Sequence, residues 1–161
     1  MKESLEISLD KIDLAILREL QSNSRMNNSE LARRINLSQP ATHTRLKRLE
    51  TLGVIHKYVS LLDRDKLGLD MISLIHIRLR AHSETSLDLF QQAIQAMPEV
   101  LECYNLTGQY DYHLKVVVRN RRELEKFLRT KIVTRREIGQ ISTSVVLSEI
   151  KSTTVLPLPD V

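Results

Sequence analysis

Two helical patterns meet across a three-residue junction at Asn36–Ser38, and this junction limits the folds open to the first fifty residues. Before it, Asn27 with Glu30 three residues later reads as a capping-box start, and Leu31, Ala32 and Ile35 share one face. Asn36 supplies a left-handed stop. Ser38 then offers a new N-cap, and Pro40 falls in a first turn whose amides have no helical partner anyway. This next helix runs to about Thr51 and stops at Gly53. An earlier helix starts at Asp10, its N-cap, with Asp13 near its positive end and Ile12, Ile16 and Leu20 at i, i+4, i+8; Ser22-Asn23-Ser24 ends it. Helix, tight turn, helix within about 25 residues is the helix-turn-helix pattern.

On the helix that begins at Ser38, a period of ~100° per residue makes Thr42, Leu46, Leu49 and Leu52 the buried side. Pro40, His43, Thr44, Lys47 and Arg48 point the other way, with Gln39 and Arg45 flanking. No acid occurs between Ala32 and Leu49, whereas Arg33, Arg34, Arg45, Lys47 and Arg48 do. A helix in the DNA major groove needs that combination: cations for phosphates, and short polar groups near its N-terminal end for base edges. Gln39, His43 and Thr44 are the candidate base contacts; Arg45, Lys47, Arg48 and Arg34 are the candidate phosphate contacts. Arg45 also lies toward the buried side and has an alternative role as a brace. The formal charge of +4 is uninformative until divided: residues 1–66 hold 12 basic and 9 acidic groups, the rest 12 and 11. Val54 to Leu61 has strand character, fitting a wing or a linker.

Residues 63–70 read as a linker between a DNA-binding domain at 1–62 and a second domain at 71–161. In the second, Ile75, Ile77 and Leu79 alternate with His76, Arg78 and Arg80, a strand with one buried face. Leu87, Phe90, Ile94 and Met97 form a helical stripe; Val100 to Leu106 and Tyr112 to Val118 are strands joined through Gly108; Leu124, Phe127, Leu128 and Ile132 mark a helix; Ile141 to Ile150 is a last strand. The order βαββαβ is the ferredoxin-like arrangement, and the chain as a whole is α+β.

No catalytic set emerges. His76, His82 and His113 are scattered, with no carboxylate or cysteine completing a metal set, so no metal or cofactor is expected. The single cysteine, Cys103, excludes an internal disulfide and reads as a buried small hydrophobe. No apolar run approaches the ~18 to 20 residues of a bilayer span, so a cytoplasmic, nucleoid-associated location is expected and no membrane partner.

Several motifs resemble the Lrp/AsnC family, the leucine-responsive or feast/famine transcription regulators. They are LDKIDLAILRELQ at Leu9–Gln21, Leu37-Ser38 followed by Arg45-Leu46-Lys47-Arg48-Leu49-Glu50 and Gly53-Val54-Ile55, the turn Gly108-Gln109-Tyr110-Asp111-Tyr112, and Glu149-Ile150-Lys151. The resemblance implies a winged helix-turn-helix followed by an effector-binding and oligomerisation domain. It implies double-stranded DNA as partner, and a homodimer that assembles to an octamer. It further implies an amino-acid effector held between subunits by the turn with Asn105, Thr107, Gly108, Tyr110 and Asp111. There Asp111 would hold the α-ammonium, although a turn aspartate also caps local amides. Ser142, Thr143, Ser144 and Val145 would be contributed by a neighbouring subunit. The alternative is an architectural, chromatin-like protein that wraps DNA without an effector. Arg136-Glu137 stands where the family often has Pro-Gly, and the recognition-helix start differs from commoner members, so no operator sequence carries over.

Overall fold

A computed structural model describes residues 7–159, which divide into two compact units. The first takes the chain up to Leu61 together with the segment from Lys151 onward; the second is Leu62–Ile150. The division falls next to the expected linker, but the C-terminal segment, expected in the second domain, packs with the first.

The first unit holds α1 (Lys11–Ser22), α2 (Asn28–Arg34) and α3 (Gln39–Thr51). Asp10 caps α1 in a complete capping box with Asp13. Asn27 accepts the Glu30 amide at α2, but the Glu30 side chain turns to Arg33 and Arg34 instead of closing the expected box. Asn36 takes the left-handed conformation at φ 53°, and Ser38 caps α3 through the Ala41 amide. Ile16, Leu17, Leu31 and Leu49 form the core, joined by Ile12, Leu20, Ile35, Leu46 and, from the tail, Leu158. Gln21 Nε2 donates to the Leu156 carbonyl at 3.2 Å, and its Oε1 accepts the Leu156 amide at 2.6 Å. Arg18 also reaches the Pro159 carbonyl. Leu52, expected in the core, is exposed, because the helix ends there and Gly53 turns the chain away at φ 72°. Val54 and Ile55 pack on the core, and no strand forms over 54–61.

The second unit begins with a turn in which the Asp63 side chain accepts the Asp65 and Lys66 amides. It then runs β1 (Met71–Leu79), α4 (Glu84–Gln95), β2 (Val100–Asn105), β3 (Tyr112–Val118), α5 (Arg121–Phe127), one π-helical turn (Leu128–Ile132) and β4 (Ile138–Val145). The strands form one antiparallel sheet in the order β2-β3-β1-β4. Its inner face (Ile75, Ile77, Leu79, Tyr112, Leu114, Val116) meets Phe90, Ile94, Leu124, Phe127 and Ile132 in one core. The other face carries His76, His113, Tyr104 and Lys115. This is the ferredoxin-like α+β arrangement.

Two expectations for the second unit are corrected. The last strand occupies Ile138–Val145 rather than Ile141 to Ile150. A Cβ on Gly139 would lie 3.1 Å from Arg80 Cγ, and the β1–β4 register shifts at Arg78/Leu79, so glycine marks a bulge inside the strand. Cys103 is exposed, since β2 is an edge strand.

Candidate functional site

On α3 the side chains of Gln39, Pro40, His43, Thr44, Lys47 and Arg48 are exposed on one side, while Thr42 and Leu49 are fully buried opposite. Thr42 tolerates burial because its hydroxyl donates to the Ser38 carbonyl at 2.9 Å. The start of the helix is braced by α2: Gln39 Nε2 donates to Ser29 Oγ at 3.2 Å, and Asn28 Nδ2 donates to the Gln39 carbonyl at 2.9 Å. Thr44 donates to the Pro40 carbonyl, and His43 makes no hydrogen bond among the described residues.

The cations sort into two kinds. Asp13 of α1 is 1% exposed and accepts Arg45 Nη1 at 2.9 Å and Arg48 Nη1 at 2.8 Å. Arg45 also reaches Asp10 at 2.6 Å, and Arg48 Nη2 donates to the Ser8 carbonyl at 3.1 Å. The Asp13 amide, then Arg45, holds the Asp10 carboxyl below its ordinary range. Stripping a buried carboxylate of its partners costs several kcal/mol, and Arg45, bonded to both Asp13 and Asp10, is tied to α1. Arg48 is half exposed, and its guanidinium keeps N–H donors beyond those given to Asp13 and Ser8. Lys47 and Arg34 sit in surface pairs: Lys47 Nζ with Glu50 Oε2 at 2.7 Å, and Arg34 with Glu30 at 2.8 Å and Glu19 at 3.1 Å. Exposed pairs are worth about 0–1 kcal/mol, so both cations can exchange partner for a phosphate. Tyr58 anchors Glu50 with a 3.0 Å hydrogen bond; burial, and then Glu50, push the phenol up to about 12. Sequence reasoning treated Asp10 and Asp13 only as helix-start residues. Their spacing of three, facing a cluster two helices away, carries no local signal.

In the second unit the turn between β2 and β3 is docked on the end of β1. The Asp111 amide donates to the Ile77 carbonyl at 2.9 Å, and the Leu106 amide donates to the Asp111 carbonyl at 2.8 Å. Asp111 Oδ2 accepts the Leu79 amide at 2.7 Å, and Oδ1 lies 2.8 Å from His82 Nε2. Burial alone would raise this carboxyl, but the Leu79 amide, His82 and Arg78 outweigh it and hold it below the usual range. Gly108 adopts φ 119°, a conformation side chains rarely take. Asn105, Thr107 and Gly108 are exposed and Tyr110 is half-buried, its ring 5.3 Å from His76. Ser142, Thr143, Ser144 and Val145 lie on β4, opposite His76 to Ser73 of β1. Ser142 is level with His76, beside Tyr110 of the turn, and the other three run on from it along β4. His82, read from sequence as one of several scattered histidines, is instead the partner of Asp111.

The chain matches the winged helix-turn-helix DNA-binding model over residues 9–56 and the Lrp/AsnC ligand binding domain over residues 73–156. It is 34% identical to the transcriptional regulator AzlB of Bacillus subtilis over 96% of this chain and 98% of that one. It is 38% identical to a glutamate uptake regulatory protein of Zymomonas mobilis, over 94% of this chain and 92% of that one. Among solved structures, a Neisseria meningitidis transcriptional regulator in complex with L-Met superposes with TM-score 0.90 at 34% identity, covering 93% of this chain and 97% of that one.

Proposed function

This chain belongs to the Lrp/AsnC family of DNA-binding transcription regulators, and we propose that it reads double-stranded DNA with α3 and responds to an α-amino acid. The observation that carries the DNA reading is the exposed side of α3. Gln39, His43, Thr44, Lys47 and Arg48 lie there, Lys47 in a surface pair with Glu50, on a helix clamped to α1 through Asp13 and to α2 through Ser29 and Asn28. Gln39, His43 and Thr44 contact base edges, while Lys47, Arg48 and Arg34 contact phosphates. Arg45 serves by holding α3 in place. Such a role requires no catalytic residue or metal, and the protein acts as a regulator rather than an enzyme. Its site of action is the cytoplasmic nucleoid; no helix of the described residues is long and apolar enough to cross a membrane.

The effector reading rests on the Asp111 turn, with Asn105, Thr107, Gly108 and Tyr110 beside it. The L-Met complex of the Neisseria relative and the name of the Zymomonas relative make α-amino acids the class to screen. Each Asp111 oxygen already accepts one bond, so an incoming ammonium takes a remaining lone pair or displaces His82, the more exposed partner. Ser142 to Val145 join the site from a second subunit. A homodimer presents two α3 helices about 34–36 Å apart, one DNA turn, and assembly to an octamer multiplies those contacts. An effector that prefers one assembly state shifts DNA binding by shifting population. Gel shifts across a salt series test the DNA reading: affinity must fall steeply with salt and depend on sequence at fixed salt. Salt-independent or absent binding overturns it.

A further inference from the structure

We propose that the outer side of α5 is a second contact surface for the phosphate backbone of duplex DNA, a step that rests on the DNA reading above. The near-neutral charge after residue 66 conceals a cancellation. Of the 12 basic and 11 acidic residues there, 119–137 hold eight basic and three acidic, which leaves four basic and eight acidic in the rest.

Packing sends this charge outward. Leu124 and Phe127 of α5 are buried in the core. At ~100° per residue, Arg122 and Lys126, with Arg129 on the π-helical turn that follows, fall on the opposite side. All three are exposed, as are Arg119, Arg121 and Arg136 toward the ends of the segment. None of these six pairs with a carboxylate among the described residues. The neutralised cations of the segment are the other two: Lys131 Nζ lies 2.7 Å from Glu99 Oε1, and Arg135 Nη1 lies 3.4 Å from Glu137 Oε1. Glu123 accepts the Arg119 amide at 3.1 Å, and Glu125 is exposed beside the stripe. On α3, by contrast, Arg45, Lys47 and Arg48 are all held by acids.

The arrangement fits an anionic polymer. Arg121 and Arg122 open α5, at the end where the helix dipole is positive and disfavours cations, and Glu123 is the one acid of that turn. Their placement there works against the helix and is explained by a ligand of opposite charge. Arg122, Lys126 and Arg129 span about 10 Å of axis, a length over which one DNA strand presents about three phosphates. All of the six but Lys126 are arginine, whose fork of donors matches phosphate oxygens. A second copy of this chain is the poorer partner. On α4, the other helix packed on this side of the sheet, the acids are Glu84 and Asp88, too few to neutralise six cations. Phosphate contacts at α5 add affinity and salt dependence to the α3 site without adding sequence preference.

The test is salt-series anisotropy of the full chain on a duplex of about 60 bp, about six helical turns. Wild type is compared with Arg122→Ala/Lys126→Ala/Arg129→Ala and with the charge-retaining Arg122→Lys/Arg129→Lys. Alanine at exposed helical positions costs no helix propensity, so the triple variant keeps its fold. Its slope of log affinity against log salt should be shallower by about 2.7, on preferred and unrelated sequences alike, and the lysine variant should keep the wild-type slope. A wild type without salt-dependent binding overturns the DNA reading itself. A steep wild-type slope left unchanged in the triple variant overturns only the α5 surface. An unchanged slope with a smaller assembly by light scattering also overturns it, and gives this side of α5 to a second copy of the chain. Phenylglyoxal labelling of wild type reads the surface without substitution. DNA must protect Arg122 and Arg129, and equal labelling with and without DNA contradicts the assignment.

Discussion

Asp13 on α1 accepts a 2.8 Å hydrogen bond from Arg48 Nη1 on α3, and the carboxylate receiving it is almost wholly buried. A cation on the exposed side of the proposed recognition helix is therefore aimed by an acid in the core of the same unit. The pair joins local structure to function: the residue that completes the α1 capping box also decides where Arg48 points.

Asp13→Ala removes that buried acceptor and leaves Arg45 with Asp10 alone. Losing one partner of a buried pair costs about 3–5 kcal/mol, and the partial exposure of both arginines reduces this to about 2 kcal/mol. The denaturant midpoint of the helical unit should fall accordingly, and DNA affinity should fall with it. A variant with the wild-type midpoint would remove Asp13 from this role.

Lys47→Ala and Gln39→Ala should separate the two kinds of DNA contact. Losing a phosphate contact at Lys47 weakens binding similarly on all sequences and reduces the salt slope by about 1. Losing a base contact at Gln39 costs about 1–3 kcal/mol on the preferred site and relaxes specificity at that position. Salt-series anisotropy on two DNA sequences reads both; an unchanged slope for Lys47→Ala counts against phosphate contact.

Asp111→Asn should destabilise the second unit by about 1–2 kcal/mol at pH 7, through the weakened bonds to the Leu79 amide and His82. The folded carboxyl titrates below its ordinary 3.8, so its contribution is complete above that pH and is lost as pH falls through the depressed value. The gap between wild type and variant should persist to pH 4 and shrink below it in denaturant melts. A gap independent of pH contradicts a charged role for Asp111.

Leu158→Ala should lower the stability of the first unit by about 1 kcal/mol, since this half-buried side chain joins the helical core from the tail. Gln21→Ala, which loses both bonds to Leu156, should act in the same direction. Melting curves that ignore both substitutions would show that the tail does not hold the unit.

Much of this architecture was legible wherever the signal is local. The caps at Asp10, Asn27 and Ser38, the left-handed Asn36 and the period-two burial of Ile75, Ile77 and Leu79 depend on residues within a few positions of each other. What escaped depends on distance along the chain. Arg45 and Arg48 meet Asp13 across 32 and 35 residues, Gln21 meets Leu156 across 135, and His76 meets His113 across 37. Cys103 looked buried because alternation is the same on an edge strand as on a central one, and strand order is not written in either strand. Asp111 stands out in sequence as a turn carboxylate, yet its engagement by Leu79 and His82 appears only once β1 and the turn are docked.

On the proposed function, DNA binding through α3 is coupled to an amino acid at the Asp111 turn. Its most direct test is quantitative footprinting of wild type and Asp111→Ala across a panel of the twenty amino acids at fixed salt. Coupling free energies of about 1–3 kcal/mol predict that at least one amino acid changes wild-type affinity by about 5-fold or more. Asp111→Ala should bind DNA normally without effector and lose that response. An identical response in wild type and Asp111→Ala, or none in wild type to any amino acid, would contradict it.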